Sequence, residues 1–331
     1  MIRTQTDWDG LAEKVLDGGN LSREEALEIL RSPDEEFLAA LNAAYRVRLH
    51  FHGKKVKVHI LQNAKSGVCT EDCAFCSQSI RFDSPVERYG IQSVEELVEG
   101  AFKARDRGAV TYCMVTSTRG PSNREIERIC EATKRIKGET KLHVCVSLGL
   151  LEAGQAEALA AAGVNRYNHN LESSSRFYTE ICSTHTWEDR FETIRRARGA
   201  GLEACAGGIV GMGETPEDRV ELAFALKELE VESVPVNFLN PRPNTPLEDA
   251  PGLAPLDCLR TLAMFRLVHP DKDVRAAGGR EVCLRHLQPF ALYAANSIFT
   301  AGYLTTPGQD PDSDWRMILD AGFEPVREGD L

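Results

Sequence analysis

The run SGVCTEDCAFCSQS sets three cysteines, Cys69, Cys73 and Cys76, at C-x3-C-x2-C spacing. Three thiolates this close in sequence can share one metal centre, and no fourth cysteine stands with them. A structural zinc site closes its tetrahedron with four protein ligands, whereas a cluster held by three cysteines leaves one metal corner open for a substrate or cofactor. The open corner implies chemistry. A zinc knuckle or a disulfide loop is the bland alternative. Zinc knuckles pair their cysteines with a second Cys or His pair, and none follows within 30 residues.

Further along lie Cys113 in TYCMVTS, Cys145 in HVCVSLG, Cys205 in EACAGGIVG and Arg275 in DVRAAGGRE. A cysteine in a strand is most often a small buried hydrophobe, and a guanidinium normally pairs with a carboxylate, here Asp273 or another lumen acid. Gly207, Ile209, Gly211 and Glu214 form G-x-I-x-G-x-x-E. As a bare glycine run this also resembles a dinucleotide loop. A Rossmann reading would need that loop after the first strand, and here it follows the fifth.

The elements that carry these residues alternate. Strand-like runs cover 56–61, 110–116, 142–148, 164–170, 203–210, 232–238, 272–277 and 296–300, and amphipathic segments cover 93–107, 122–137, 152–162, 186–199, 215–230, 254–268 and 284–295. Such alternation requires parallel strands with helical crossovers, and eight units at this length predict an α/β fold of the (β/α)8 TIM type. Residues 1–50 are expected as a helical extension, with Ser22 and Glu25 as a capping box for a helix ending near Leu30. The barrel is expected over 51–310 and a covering tail over 311–331. Strand side chains alternate with period two. Leu142, Val144 and Val146 then face the helices while His143, Cys145 and Ser147 face the lumen. Asp273, Arg275 and Ala277 likewise face in, opposite Val274, and Ser233, Pro235 and Asn237 oppose Val234, Val236 and Phe238. The same parity sets Cys113 with Thr111 and Ser117, and Cys205 with Glu203 and Gly207. Three cysteines and an arginine from four strands could thus meet inside one barrel.

Composition sets the class. The chain has 331 residues, 42% hydrophobic and 27% charged, enough for one large domain. Its net charge of −11 argues against nucleic acid, whose binding rests on clustered cations. The start MIRTQTDWDG lacks an apolar stretch, and no run is long enough to span a bilayer, so a cytoplasmic enzyme without membrane contact is expected. Ten cysteines in such a chain read as reduced thiols and metal ligands. Cys130, Cys182 and Cys258 are expected to be packed non-ligands, and Cys283 in REVCLR is a possible rival ligand.

The three-cysteine spacing with Phe75 before the last cysteine resembles the radical S-adenosylmethionine superfamily. Within it, Cys113, Cys145, Cys205 and Arg275 in their quoted contexts resemble the biotin synthase family. The likeness runs from about residue 50 to 310 and includes YNHNLESS at 167–174, SVPVNFL at 233–239 and ANSIFTAGYLTTPGQ at 295–309. It implies a sulfurtransferase that inserts sulfur into dethiobiotin, with no catalytic group beyond its cofactors. A 4Fe-4S cluster would sit on Cys69, Cys73 and Cys76, and a sulfur-donating 2Fe-2S cluster on Cys113, Cys145, Cys205 and Arg275. S-adenosylmethionine would meet Phe75, Thr116, Asn170, Glu172, Arg190 and Ile209, and dethiobiotin would meet Asn170, Asn237, Thr305 and Thr306. The resemblance further implies a reducing electron-donor protein, iron–sulfur assembly machinery and a homodimer. Two features depart from the family's pattern. Glu172 stands where many relatives carry Asp, and MVTSTRG replaces a G-G-E run after the second strand, leaving the backbone near Thr116 and Ser117 to receive the cofactor's amino group.

Overall fold

The structure is a computed structural model and describes residues 6–330. Helices α1 (Trp8–Leu16), α2 (Arg23–Leu30) and α3 (Phe37–His52) come first. They are followed by β1 (Lys55–Lys65), α4 (Val94–Asp106), β2 (Thr111–Thr116), α5 (Asn123–Glu139), β3 (His143–Ser147), α6 (Gln155–Ala161) and β4 (Arg166–Asn168). Then come α7 (Ser175–Tyr178), α8 (Trp187–Gly199), β5 (Glu203–Cys205), β6 (Gly208–Val210), α9 (Pro216–Glu228), β7 (Ser233–Phe238) and α10 (Pro255–Val268). The chain ends with β8 (Asp273–Ala276), α11 (Arg280–Leu284), α12 (Gln288–Ala291), β9 (Ser297–Phe299), α13 (Pro311–Asp320) and β10 (Glu324–Pro325).

Every strand pairing is parallel, and β9 closes on β1 with Lys57 opposite Ser297, so the sheet is a closed barrel. It has eight staves, because β5 and β6 form one interrupted stave beside β7. The interruption has a steric cause. At Gly207 a Cβ would stand 1.8 Å from the Pro235 carbonyl oxygen, a contact only glycine avoids. Four of the eight staves return to the outer layer through a helix opened by a reciprocal cap. Ser93 with Glu96, Ser122 with Glu125, Thr186 with Asp189 and Thr215 with Asp218 each satisfy two helix-end donors.

Period-two sidedness holds. Val144, Val146, Val234, Val236 and Val274 are buried under the helices, while Cys145, Ser233, Arg275 and Asp273 are buried on the opposite side of their strands. The capping box of Ser22 and Glu25 opens α2 as expected. Helix α10 is buried on all sides because α3 and α2 pack over it. Its Arg266 is held there by donating to the carbonyls of Ala294, His269, Pro270 and Lys272.

Two stretches differ from the sequence expectation. Residues 284–295 form no single helix. Arg285 takes a left-handed φ of 52°, and Pro289, which lacks an N–H, can only open the following short helix. The final segment does more than cover. Helix α13 follows the eighth stave, where a barrel needs its last helix, and Arg280 anchors it through a 2.8 Å bond to Asp314, both buried. Strand β10 then pairs Lys55 with Glu324 at the start of β1.

Candidate active site

A cavity of about 280 Å³ opens at the carboxyl ends of the strands, the face where barrels of this type place their chemistry. Its wall contains Cys69, Cys73 and Cys76 from the loop after β1, Cys113 and Thr116 from β2, Asn168 of β4, Ile209 of β6 and Asn237 of β7. Short helix-capping turns leave the loop after β1 as the long excursion of the barrel, and it folds on itself. Cys69 donates its N–H to Gln78 and accepts from Ile80, and Cys76 donates to the Cys73 carbonyl. Gln78 in turn accepts from Asn63 of β1 and from Gly67. The three thiols are thus fixed to the end of the first stave.

Burial raises Cys69 and pushes Cys76 up to about 11, and Cys73 is raised by its hydrogen bond to Cys182 and by burial. Metal ligation needs thiolates, so loading the loop expels protons.

Deeper in the lumen the second set converges. Cys113 and Cys145 face each other across β2 and β3 as register partners, and their contact with burial raises the Cys145 thiol well above its ordinary value. Cys205 accepts from Asn168 Nδ2 at 3.1 Å and from Arg275 Nη1 at 3.6 Å. Arg275 also donates to Ser233 at 2.9 Å and to Asp273 at 3.3 Å, so it serves the carboxylate and the thiol together. Its buried Nε has no partner among the described residues. An orphaned guanidinium donor on the side chain that already reaches the buried Cys205 sulfur fits an anionic sulfide-bearing group. Below it Arg166 bridges Glu203 and Asp273. Burial alone would raise the Asp273 carboxyl, yet the surrounding cations hold it well below the usual range.

The wall between the two cysteine sets is polar. Asn170 accepts from the Gly207 N–H at 3.2 Å and touches Glu172, whose backbone has a left-handed φ of 69°. Arg190 pairs with Glu172 at 3.3 Å and donates to the Asn170 carbonyl at 2.9 Å. Burial raises the Glu172 carboxyl despite that cation. Glu214 accepts from the N–H groups of Gly211 and Met212, fixing the turn after Ile209. Thr116 Oγ1 and His169 Nε2 are buried in this wall without partners among the described residues. Unpaired polar atoms of this kind are costly unless a ligand meets them.

The loop 301–308 forms the roof. Tyr303 and Thr306 exchange backbone hydrogen bonds, and Thr305 bonds Ser77 of the cysteine loop at 2.9 Å. Asn237 is spent mainly on backbone, donating to Gly208 and accepting from Gly278. Phe75 also lines the cavity. Cys130 and Cys283 lie elsewhere, bonded to the carbonyls of Ala158 and Leu239, and Cys258 is buried beside Cys283. Cys182, read from sequence as a packed thiol, instead sits 3.8 Å from Cys73 Sγ and 3.3 Å from His185 Nδ1. Sequence reasoning also missed Tyr303, His169 and His185 as wall residues. His169 and Tyr303 lie inside the runs YNHNLESS and ANSIFTAGYLTTPGQ, and His185 left the C-x2-H spacing of 182–185.

A closed parallel barrel whose first stave runs into a three-cysteine loop at the cavity mouth defines a radical S-adenosylmethionine enzyme, and residues 64–226 match the model of the Radical SAM superfamily. Residues 235–324 match the Biotin and Thiamin Synthesis associated domain. The biotin synthase of Salinibacter ruber (strain DSM 13855 / M31) is 60% identical over 321 residues, covering 97% of this chain and 89% of the relative. That of Bacillus cytotoxicus is 48% identical over 323 residues, covering 98% and 97%. The chain belongs to the biotin synthase family and is a radical S-adenosylmethionine sulfurtransferase. Solved structures share the fold. Methylornithine synthase superposes with TM-score 0.84 at 21% identity over 97% of this chain and 98% of its own. The FeFe-hydrogenase maturase from Carboxydothermus hydrogenoformans gives 0.83 at 18%, over 97% and 79%. Among the described residues no helix is long and apolar enough to cross a membrane.

Proposed function

We propose that the chain inserts sulfur between two saturated carbons of dethiobiotin to form biotin. The observation that carries this reading is the convergence of Cys113, Cys145, Cys205 and Arg275, from four staves, beneath a cavity lined by Cys69, Cys73 and Cys76. When bound, a 4Fe-4S cluster with S-adenosylmethionine supplies a carbon radical able to take hydrogen from an unactivated C–H bond, and a 2Fe-2S cluster supplies sulfide.

The protein's part is placement and exclusion of water. Cys69, Cys73 and Cys76, which line the cavity, would hold the first cluster. Arg190 offers its guanidinium to the cofactor's carboxylate, Glu172 and Asn170 offer acceptors and a donor to ribose hydroxyls, and Ile209 and Phe75 offer apolar faces to adenine. Thr116 Oγ1, unpartnered in the wall, serves the amino group. Asn170, Asn237, Thr305 and Thr306 present neutral amides and hydroxyls, suited to an uncharged ureido ring. Arg275 would supply the fourth contact to the sulfide-bearing group, its Nε having no partner among the described residues. The roof loop, tied down by Thr305 and Ser77, keeps the radical away from solvent. An external reductant, iron–sulfur assembly machinery, a second copy of the chain and a cytoplasmic setting complete the reading.

Anaerobic reconstitution to six irons per chain, with reductant, S-adenosylmethionine and dethiobiotin, should yield 5′-deoxyadenosine and biotin. Cys145→Ala should lose biotin while retaining cofactor cleavage. Full biotin yield from that variant overturns the role of the second set.

A further inference from the structure

Cys182 carries an observation that the proposed reaction does not use. Its Sγ, Cys73 Sγ and His185 Nδ1 all lie within 4.8 Å of one another, and all three residues are buried. A tetrahedral ion with metal–sulfur bonds of about 2.3 Å sets two sulfurs roughly 3.8 Å apart, and the Cys73 to Cys182 separation is 3.8 Å. The Cys182 to His185 separation is 3.3 Å, short of the roughly 3.6 Å that one sulfur and one nitrogen ligand would take, so a small ring shift completes the fit.

We propose that in the cluster-free chain Cys73, Cys182 and His185 bind one divalent transition-metal ion of the zinc or ferrous-iron class. Two soft sulfurs and an imidazole suit such an ion. The fourth position is left to solvent, since Cys73 and His185 both line the cavity. Around the ligands stands the outer layer that metal-binding histidines need. His185 Nε2 is 2.8 Å from the Tyr178 hydroxyl. On binding, both sulfurs coordinate as thiolates, and any proton a thiol still holds leaves to solvent. The Nδ1 that would meet the ion now lies against the Glu71 carboxylate, and Nε2 keeps its place beside the Tyr178 hydroxyl and Arg190 Nε. Asp72 is already committed, accepting from Ser183 N–H, Thr184 N–H and the Thr184 hydroxyl. It pins the 182–185 turn and is no ligand. Because Cys73 belongs to both sets, the single ion and the cluster exclude each other. That competition, unlike the ion site itself, rests on the cluster assignment above.

The test uses full-length cluster-free protein, anaerobic and reduced, titrated with Co2+. One cobalt per chain should bind with tetrahedral d–d bands and a thiolate-to-cobalt charge-transfer band. Cys182→Ala should weaken binding at least tenfold and reduce the charge-transfer intensity per cobalt, while Cys69→Ala should change neither. Undiminished affinity in Cys182→Ala, with loss in Cys69→Ala, overturns the site in favour of an ion held by the loop cysteines alone. Should Cys182→Ala fail to fold, X-ray absorption of the zinc-loaded wild-type chain decides. Two sulfurs and at least one nitrogen are expected, and three sulfurs without nitrogen overturn the proposal. Neither readout depends on biotin formation, so a failure here is separable from a failure of the proposed reaction.

Discussion

Replacing Asp273 by Asn removes one charge from the floor of the lumen without changing its volume. The carboxylate is 4% exposed and receives Arg166 at 3.4 Å, Arg275 at 3.3 Å and the Ser297 hydroxyl. Two arginines are balanced there by Asp273 and Glu203, and His59 is neutral because burial and Arg275 hold its pKa well below the ordinary value. Neutralising Asp273 leaves the cluster with an unmatched positive charge. Breaking a buried pair in this way costs about 3–5 kcal/mol. An unfolding entropy of roughly 2.1 cal/mol/K per residue over 331 residues makes the whole chain lose about 0.7 kcal/mol per kelvin near its midpoint. The variant should therefore unfold about 4–7 °C below the wild type.

The assay is thermal unfolding of the cluster-free chain followed by far-UV circular dichroism. Its pH dependence supplies a second reading. Asp273 has a folded pKa depressed below its unfolded value, so its contribution is fully present above about pH 4–5 and is lost as pH falls toward the folded pKa. The gap between wild type and Asp273→Asn should hold steady from pH 8 to about pH 5 and narrow below that. Glu203→Gln, whose side chain is 38% exposed, should cost less because water screens the loss. A midpoint for Asp273→Asn within about 1 °C of wild type at pH 7 would refute the claim that this carboxylate balances the lumen arginines.

Gly207→Ala should abolish soluble folded protein, since the added Cβ would meet the Pro235 carbonyl between two staves; expression and circular dichroism check it. Ser22→Ala removes the reciprocal cap of α2 and should cost about 1 kcal/mol, a midpoint fall of about 1–2 °C. Arg190→Lys keeps the charge but loses the fork that reaches Glu172, Tyr178 and the Asn170 carbonyl together. Its KM for S-adenosylmethionine should rise about tenfold or more, and an unchanged KM counts against that contact. Removal of iron with a strong chelator should stop 5′-deoxyadenosine formation while leaving the helical signal, because the barrel closes through its own strands.

How far the sequence discloses this molecule depends on which physical signal each residue leaves. The barrel is legible because eight strand runs and their helices repeat two periodicities. Lumen-facing positions are legible because strand parity is rigid, and Cys145, Arg275 and Asp273 lie where parity puts them. The breaks are less so. The split of the fifth stave at Gly207 depends on the approach of Pro235 from another strand, a contact no local pattern encodes. The breakup of 284–295 was signalled locally by Pro289, but the left-handed turn at Arg285 that precedes it was not.

Arg275 and Cys182 mark the two ways in which residue chemistry underdetermines a site. For Arg275, general chemistry favours a carboxylate, and the structure supplies one in Asp273. The same side chain has donors to spare, so a bond to Asp273 and a contact with Cys205 coexist, and the two readings were never exclusive. For Cys182 the general expectation of a packed thiol covers its burial but not its surroundings. The residue is buried, but its neighbours are Asp72, Thr184, His185 and another thiol. Burial among polar partners is what separates a ligand-competent thiol from an inert one. Those partners come from the cysteine loop and from the turn after α7, two segments about a hundred residues apart that meet because Ala74 N–H bonds the Ile181 carbonyl at 2.8 Å. A site assembled by such a crossing becomes visible only once the fold has brought its halves together.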